Sequence, residues 1–131
     1  MMTLTIDDCI DRGVELNQLR EQRTLTDVVL VCGGREVHAH KLILSLHSYY
    51  FRTLFKTEGF DESVSEKVEV SSLSFDVIEA LVVFMYSGRF CMADNSGDPA
   101  ELAVELLRAE TFLQLSGSKL RTSLENILIK V

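Results

Sequence analysis

Four side chains in the first third of this sequence could act together chemically. They are Asp27, Cys32, His38 and His40, the last three inside VCGGREVHAH, Val31 to His40. Thiolate, imidazole and carboxylate are the groups that bind zinc, and glycine-rich turns are what phosphate-cradling loops use. Asp27 to His40 reads as a hairpin around Gly33-Gly34, because adjacent glycines supply the positive φ of a tight two-residue turn. Cys32 then lies opposite Arg35, Leu30 opposite Val37 and Val28 opposite Ala39, all on one face. On the other face Val31 meets Glu36, Val29 meets His38 and Asp27 meets His40. Cys32 therefore points away from both histidines, and a Cys-His-His site fails. Asp27, His38 and His40 share a face and could hold zinc, but two histidines at i, i+2 are a weak ligand set. The simpler reading is an Asp27–His40 cross-strand pair with His38 beside it. Gly33-Gly34 leads into no helix with a following Lys and Ser/Thr, so no phosphate loop forms. The chain has no G-x-S-x-G elbow either. The expectation is a non-enzyme with no catalytic residue, no metal and no cofactor.

The surrounding elements decide what this hairpin is mounted on. Thr3 to Ile6 alternates and permits a short strand, and Asp7 to Gln22 reads as a helix with a loose apolar stripe interrupted by Gly13. Such a helix needs a partner surface. After the hairpin, Lys41 to His47 is apolar enough for a buried helix, and Tyr49 to Lys56 follows with Tyr50, Phe51, Leu54 and Phe55 at helical spacing. Thr57 to Glu66 reads as an exposed acidic loop and Lys67 to Val70 as a strand. Ser74 can cap a helix that runs to Ser87, with Phe75, Ile78, Leu81, Val82 and Met85 inward, and Gly88 stops it. Arg89 to Met92 can form a short strand, and Ala93 to Gly97 is linker-like. Asp98-Pro99-Ala100-Glu101 is a helix start, with Asp98 as N-cap and Pro99 at the first helical position; that helix runs to about Leu115 and Gly117 ends it. Ser118 opens a last helix with Leu120, Leu124, Ile127, Leu128 and Val131 on one stripe. The stripe is still running at Val131, so the chain reads as a domain excised from a longer protein.

The totals narrow the function. With 131 residues the chain suits one domain. A net charge of −7 without a basic cluster argues against direct nucleic-acid binding. Apolar runs such as Ala80 to Tyr86 are too short to span a membrane, and the N-terminus has acids where a signal peptide has bases. Three cysteines, Cys9, Cys32 and Cys91, without C-x-x-C spacing favour a reducing compartment, cytoplasm or nucleus. A helical domain with a small sheet and an unpartnered first helix suits an interaction module.

The run DVVLVCGGREVHAHKLILSLHSYYFRTLF, Asp27 to Phe55, resembles a BTB/POZ domain. The family pattern is an Asp opening a strand, Ala-His-Lys/Arg, an apolar helix and Ser-x-x-Phe; here these are Asp27, Ala39-His40-Lys41, Leu42 to Leu46 and Ser48 to Phe51. The resemblance extends through VEVSSLSFDVIEALVVFMYSGRF and ELLRAETFLQLSGSKLRTSLENIL, so it covers nearly the whole chain, 1–131. It implies an α+β BTB/POZ fold, a cluster of helices flanked by a small mixed sheet with a β-hairpin. It makes Asp27, His40 and Lys41 a structural charged pocket whose members pair with one another near a dimer interface. Gly13 to Asp27 resembles the first helix of the long form of this domain, as in kelch-like and BTB zinc-finger proteins. That implies a homodimer in which residues 1–25 form a dimerisation strand and helix, with Ile6, Ile10, Val14, Leu16 and Leu19 at the interface, and Thr3 to Ile6 pairing with the partner's strand after Tyr86-Ser87-Gly88. Cullin-binding members carry an apolar-x-Glu motif in the loop before the third strand. Here Phe60-Asp61-Glu62-Ser63 stands there, which implies Phe60 as the anchor and Glu62 as a polar contact for cullin-3 in a ubiquitin ligase. The other role open to such a domain is recruitment of a corepressor peptide to the dimer groove.

Overall fold

The computed structural model describes residues 2–7, 10–57, 66–70, 72–90, 99–115 and 120–130. Its elements, in chain order, are α1 (Gly13–Glu21), β1 (Val28–Cys32), β2 (Arg35–Ala39), α2 (Lys41–His47), α3 (Tyr49–Thr57), β3 (Glu66–Glu69), α4 (Phe75–Ser87), α5 (Pro99–Leu113) and α6 (Leu120–Lys130). The strands form one sheet in the order β2-β1-β3. β1 and β2 are antiparallel while β1 and β3 are parallel, so the sheet is mixed.

The hairpin has the expected register: Cys32 faces Arg35, Leu30 faces Val37 and Val28 faces Ala39. Gly33 and Gly34 take φ of 58° and 82°, the left-handed values a two-residue hairpin needs for its twist to match the strands. Alternation then sorts the side chains. Val28, Leu30, Cys32, Val37 and Ala39 enter the core with Phe51, Ile78, Leu81, Val82, Met85, Leu106 and Leu113 from the helices. The Cys32 thiol is buried there and donates to the Leu73 carbonyl at 2.7 Å, and burial pushes its pKa up. It is a small core residue with a satisfied donor.

Helix ends follow the local chemistry. The Ser74 hydroxyl accepts from Val77 N–H at the start of α4, and Gly88 ends it in the left-handed region at φ 75°. α5 stops at Leu113, two residues short of expectation, because Gln114 itself adopts a left-handed φ of 53°. That turn brings Leu115 beside Ser48 as an isolated antiparallel bridge, and the buried Ser48 hydroxyl donates to the Leu113 carbonyl. The joint between α2 and α3 is thereby fastened to the end of α5. Gly117, Ser118, Asp98 and Ala93 to Gly97 lie outside the described residues.

Four expectations change. Thr3 to Ile6 forms no strand within one copy, nor do Arg89 and Phe90; Cys91 and Met92 lie outside the described residues. The first helix begins at Gly13, not Asp7, where the Asp11 carboxylate accepts from Gly13 N–H at 2.8 Å. Gly13 is no interruption of the stripe: it is the point of closest approach between α1 and the end of α4. A Cβ added there would stand 2.8 Å from the Tyr86 carbonyl oxygen and 3.0 Å from Ser87 Cα. Finally, α2 is not buried as a whole. Leu44 is, but Leu42 and Leu46 are exposed.

Because both clashing atoms are backbone, Gly13→Ala forces α1 away from α4. The expected loss is about 1–3 kcal/mol of unfolding free energy, as for other overpacked sites, measured by urea denaturation.

Candidate interaction surface

The site grows from the end of the hairpin. The ladder closes at Val28 and Ala39, and the next amide, Asp27 N–H, donates to the same Ala39 carbonyl at 3.1 Å. This bulge-like shift means that Asp27 does not face His40 as an ordinary cross-strand partner. Its carboxylate instead accepts from the main-chain N–H of Lys41 at 2.7 Å. Lys41 is the first residue of α2, and its N-cap residue, His40, makes no side-chain cap bond. Asp27 therefore caps a helix from a neighbouring strand, meeting an otherwise unsatisfied donor at the positive end of the helix dipole.

His40 turns to other partners. Its main-chain N–H donates to the Tyr86 hydroxyl oxygen at 2.7 Å, and Nδ1 contacts that same oxygen at 2.7 Å. Nε2 lies 2.8 Å from the Thr24 carbonyl oxygen. A carbonyl can only accept, so Nε2 carries the proton in the neutral ring. Nδ1 is then the acceptor and Tyr86 donates to it. Burial pushes the Tyr86 hydroxyl up to about 12, so it remains the proton donor this arrangement requires. The Arg20 guanidinium sits over the Tyr86 ring at 5.7 Å and donates to the His38 carbonyl at 3.3 Å and to Asn17 Oδ1 at 2.9 Å. One cluster thus joins α1, β2, α2 and α4.

Asp27 and Lys41 of the expected charged pocket do meet, through a main-chain amide, and the Lys41 ammonium is shielded from solvent. The His40 ring is bonded to Tyr86 and Thr24, so the expected Asp27–His40 side-chain pair does not form. Arg20, Thr24 and Tyr86 were not legible as members. Asn17 and Arg20 are i, i+3 neighbours on α1, but nothing local points Arg20 at a strand 18 residues away. Both His40 nitrogens are occupied, and among the described residues no group of three or more His, Cys, Asp or Glu could hold a metal ion.

The apolar exposure lies elsewhere. Ile6 is 78% exposed, and Ile10, Val14 and Leu19 are also exposed, whereas Leu16 is half-buried against its own core. Leu42, at 78%, and Leu46 add to this set from α2. These exposed aliphatic side chains lie on a terminal arm and on two helices. Phe60 and Glu62 lie outside the described residues. No helix among the described residues is long and apolar enough to cross a membrane.

A family model described as the BTB/POZ domain matches residues 16–129. The chain belongs to the BTB/POZ family. This BTB domain is a protein-interaction module. Among curated proteins it is similar to human Kelch-like protein 21, with 32% identity over 111 residues, 84% of this chain and 18% of the relative. It is also similar to rat Kelch-like protein 7, with 38% identity over 81 residues, 62% of this chain and 14% of the relative. The chain spans less than a fifth of these relatives. Its fold resembles the BTB domain of zebrafish PATZ1, with a TM-score of 0.73 over 97% of this chain and 100% of that one, at 20% identity.

Two predictions follow from the junction. Asp27→Ala uncaps α2 and is expected to lower stability by about 1–2 kcal/mol, while Tyr86→Phe, which strands the His40 N–H, costs about 1–3 kcal/mol; both are read by chemical denaturation. The BTB domain should also lose stability on acidification. Burial lowers the pKa of both His38 and His47 from the ordinary value near 6.5, so the unfolded chain binds protons that the folded one refuses. Stability then rises with pH through the window below 6.5 and is lost as pH falls. Melting temperature between about pH 8 and about pH 5 checks the sign, and His47→Gln should shrink the fall.

Proposed function

We propose that this BTB domain homodimerises and binds cullin-3, as the adaptor part of a substrate receptor in a cullin-RING ubiquitin ligase. The observation that carries the reading is the apolar-x-Glu sequence Phe60-Asp61-Glu62 in a chain whose curated relatives are kelch-like proteins. A phenylalanine in an acidic segment gains by entering an apolar pocket, and a neighbouring carboxylate adds a directional, salt-sensitive contact. The homodimer is supported by the exposed Ile6, Ile10, Val14 and Leu19, with Leu42 and Leu46 also exposed on α2. Covering such side chains with the same surface of a second copy is the usual isologous solution. The Asp27, His40 and Lys41 junction is structural in this reading: it holds α1 and α2 in place beneath the interface.

Light scattering of the purified domain at micromolar concentration should give twice the chain mass, and a monomer there would remove the dimer. Calorimetric titration with the N-terminal region of cullin-3 should show binding that Phe60→Ala weakens by about 2 kcal/mol or more without changing the melting temperature. Wild-type protein that stays silent toward cullin-3 but binds a corepressor peptide would replace this reading with the transcriptional one.

A further inference from the structure

The outer edge of β2 carries none of the residues assigned above to the dimer or to cullin-3. In a two-residue hairpin the pair next to the turn exchanges main-chain hydrogen bonds, and so does every second pair beyond it. Cys32–Arg35, Leu30–Val37 and Val28–Ala39 are those pairs, which leaves the amides and carbonyls of Glu36 and His38 pointing outward. The Arg20 guanidinium confirms the direction by donating to the His38 carbonyl from outside the sheet. The Glu36 carbonyl and the His38 N–H, on either side of Val37, make no hydrogen bond among the described residues. Beside them lies a recess of about 230 Å³, between the end of α1, β2 and α4. Arg20, Glu21, Arg23, Glu36, His38 and Glu79 line it. Arg20 is more than nine-tenths buried, so its charge is a fixed part of the wall.

We infer that this recess captures the C-terminal carboxylate of an extended peptide lying along the outer edge of β2. The edge itself selects a chain end. A strand running past His38 would meet Arg20, which already occupies the His38 carbonyl. A terminal residue in register with Val37 and parallel to β2 avoids that collision. Its N–H reaches the Glu36 carbonyl and one carboxylate oxygen accepts from His38 N–H, the two bonds a parallel strand makes around a central residue. The second oxygen faces Arg23, with Arg20 behind it. The recess sets the guanidiniums of Arg20 and Arg23 against the carboxylates of Glu21, Glu36 and Glu79, a balance that disfavours a free anion. Preference therefore falls on a carboxylate whose own backbone N–H can reach Glu36. The side chain of that last residue lies on the Val37 face beside Glu79, where a small residue fits.

The test is a nuclear magnetic resonance titration of the isotope-labelled domain with acetyl-Thr-Val-Ala bearing a free carboxyl. The same peptide as its amide and sodium acetate are the controls. The free acid should move the His38 and Val37 amide signals and the Arg20 side-chain signal, and the amide should bind about tenfold more weakly or less. Arg23→Asn should weaken the acid by a similar factor; asparagine tolerates the left-handed φ of 58° at that position. His38→Pro removes an outward N–H without touching the β1–β2 ladder, and should abolish the response while the β1 signals stay in place. Equal shifts from acid and amide would overturn the proposal, as would binding that survives both substitutions. Acetate moving the same signals as far as the peptide would show an adventitious ion only and would also overturn it.

Discussion

The rest of the structure depends on how β2 hands over to α2. A helix that starts directly after a strand exposes main-chain donors with no partner of their own, and His40 supplies no cap. The Asp27 carboxylate meets one donor from the start of β1, and the Tyr86 hydroxyl meets another from the far end of α4. Both bonds are partly buried, where an unmet donor costs about 1–3 kcal/mol. The hairpin, α2 and α4 are therefore held in a single geometry by two acceptors that come from distant parts of the chain.

The same junction holds α1, the helix that carries Val14 and Leu19 outward. The turn after it is strained: Arg23 and Leu25 both take left-handed φ, 58° and 59°, without being glycine. Each such residue costs about 1–2 kcal/mol. Contacts to the fold offset this, namely His40 Nε2–H on the Thr24 carbonyl, Arg20 on the His38 carbonyl, and Gly13 against the end of α4. An apolar surface presented on a helix fixed at three points keeps its shape before a partner arrives. Less ordering entropy is then lost on association.

Much of the fold was legible because its signals are local. Gly33-Gly34 sets the hairpin and its register, Ser74 and Gly88 bound α4, and Pro99 opens α5. The misplaced features share a cause. Leu42 and Leu46 look like core residues because hydrophobicity by itself does not say which apolar side chains the core covers. Thr3 to Ile6 alternates like a strand yet pairs with no strand among the described residues. Gly13 resembles a helix breaker until the backbone it must approach is known.

By itself the sequence determined the hairpin, the face each of its strands buries, most of the helices, and the family to which the pattern belongs. It also brought Asp27, His40 and Lys41 to one place, since the hairpin carries its two ends together. Only the tertiary structure decided what they do there. The bulge-like shift at Asp27 sends its carboxylate to a helix amide instead of an imidazole, and it leaves His40 to Tyr86, 46 residues away. Turns and caps are fixed by interactions within a few residues. Hydrogen-bond partners at long range depend on where the core places whole helices, to within the few tenths of an ångström that a hydrogen bond tolerates.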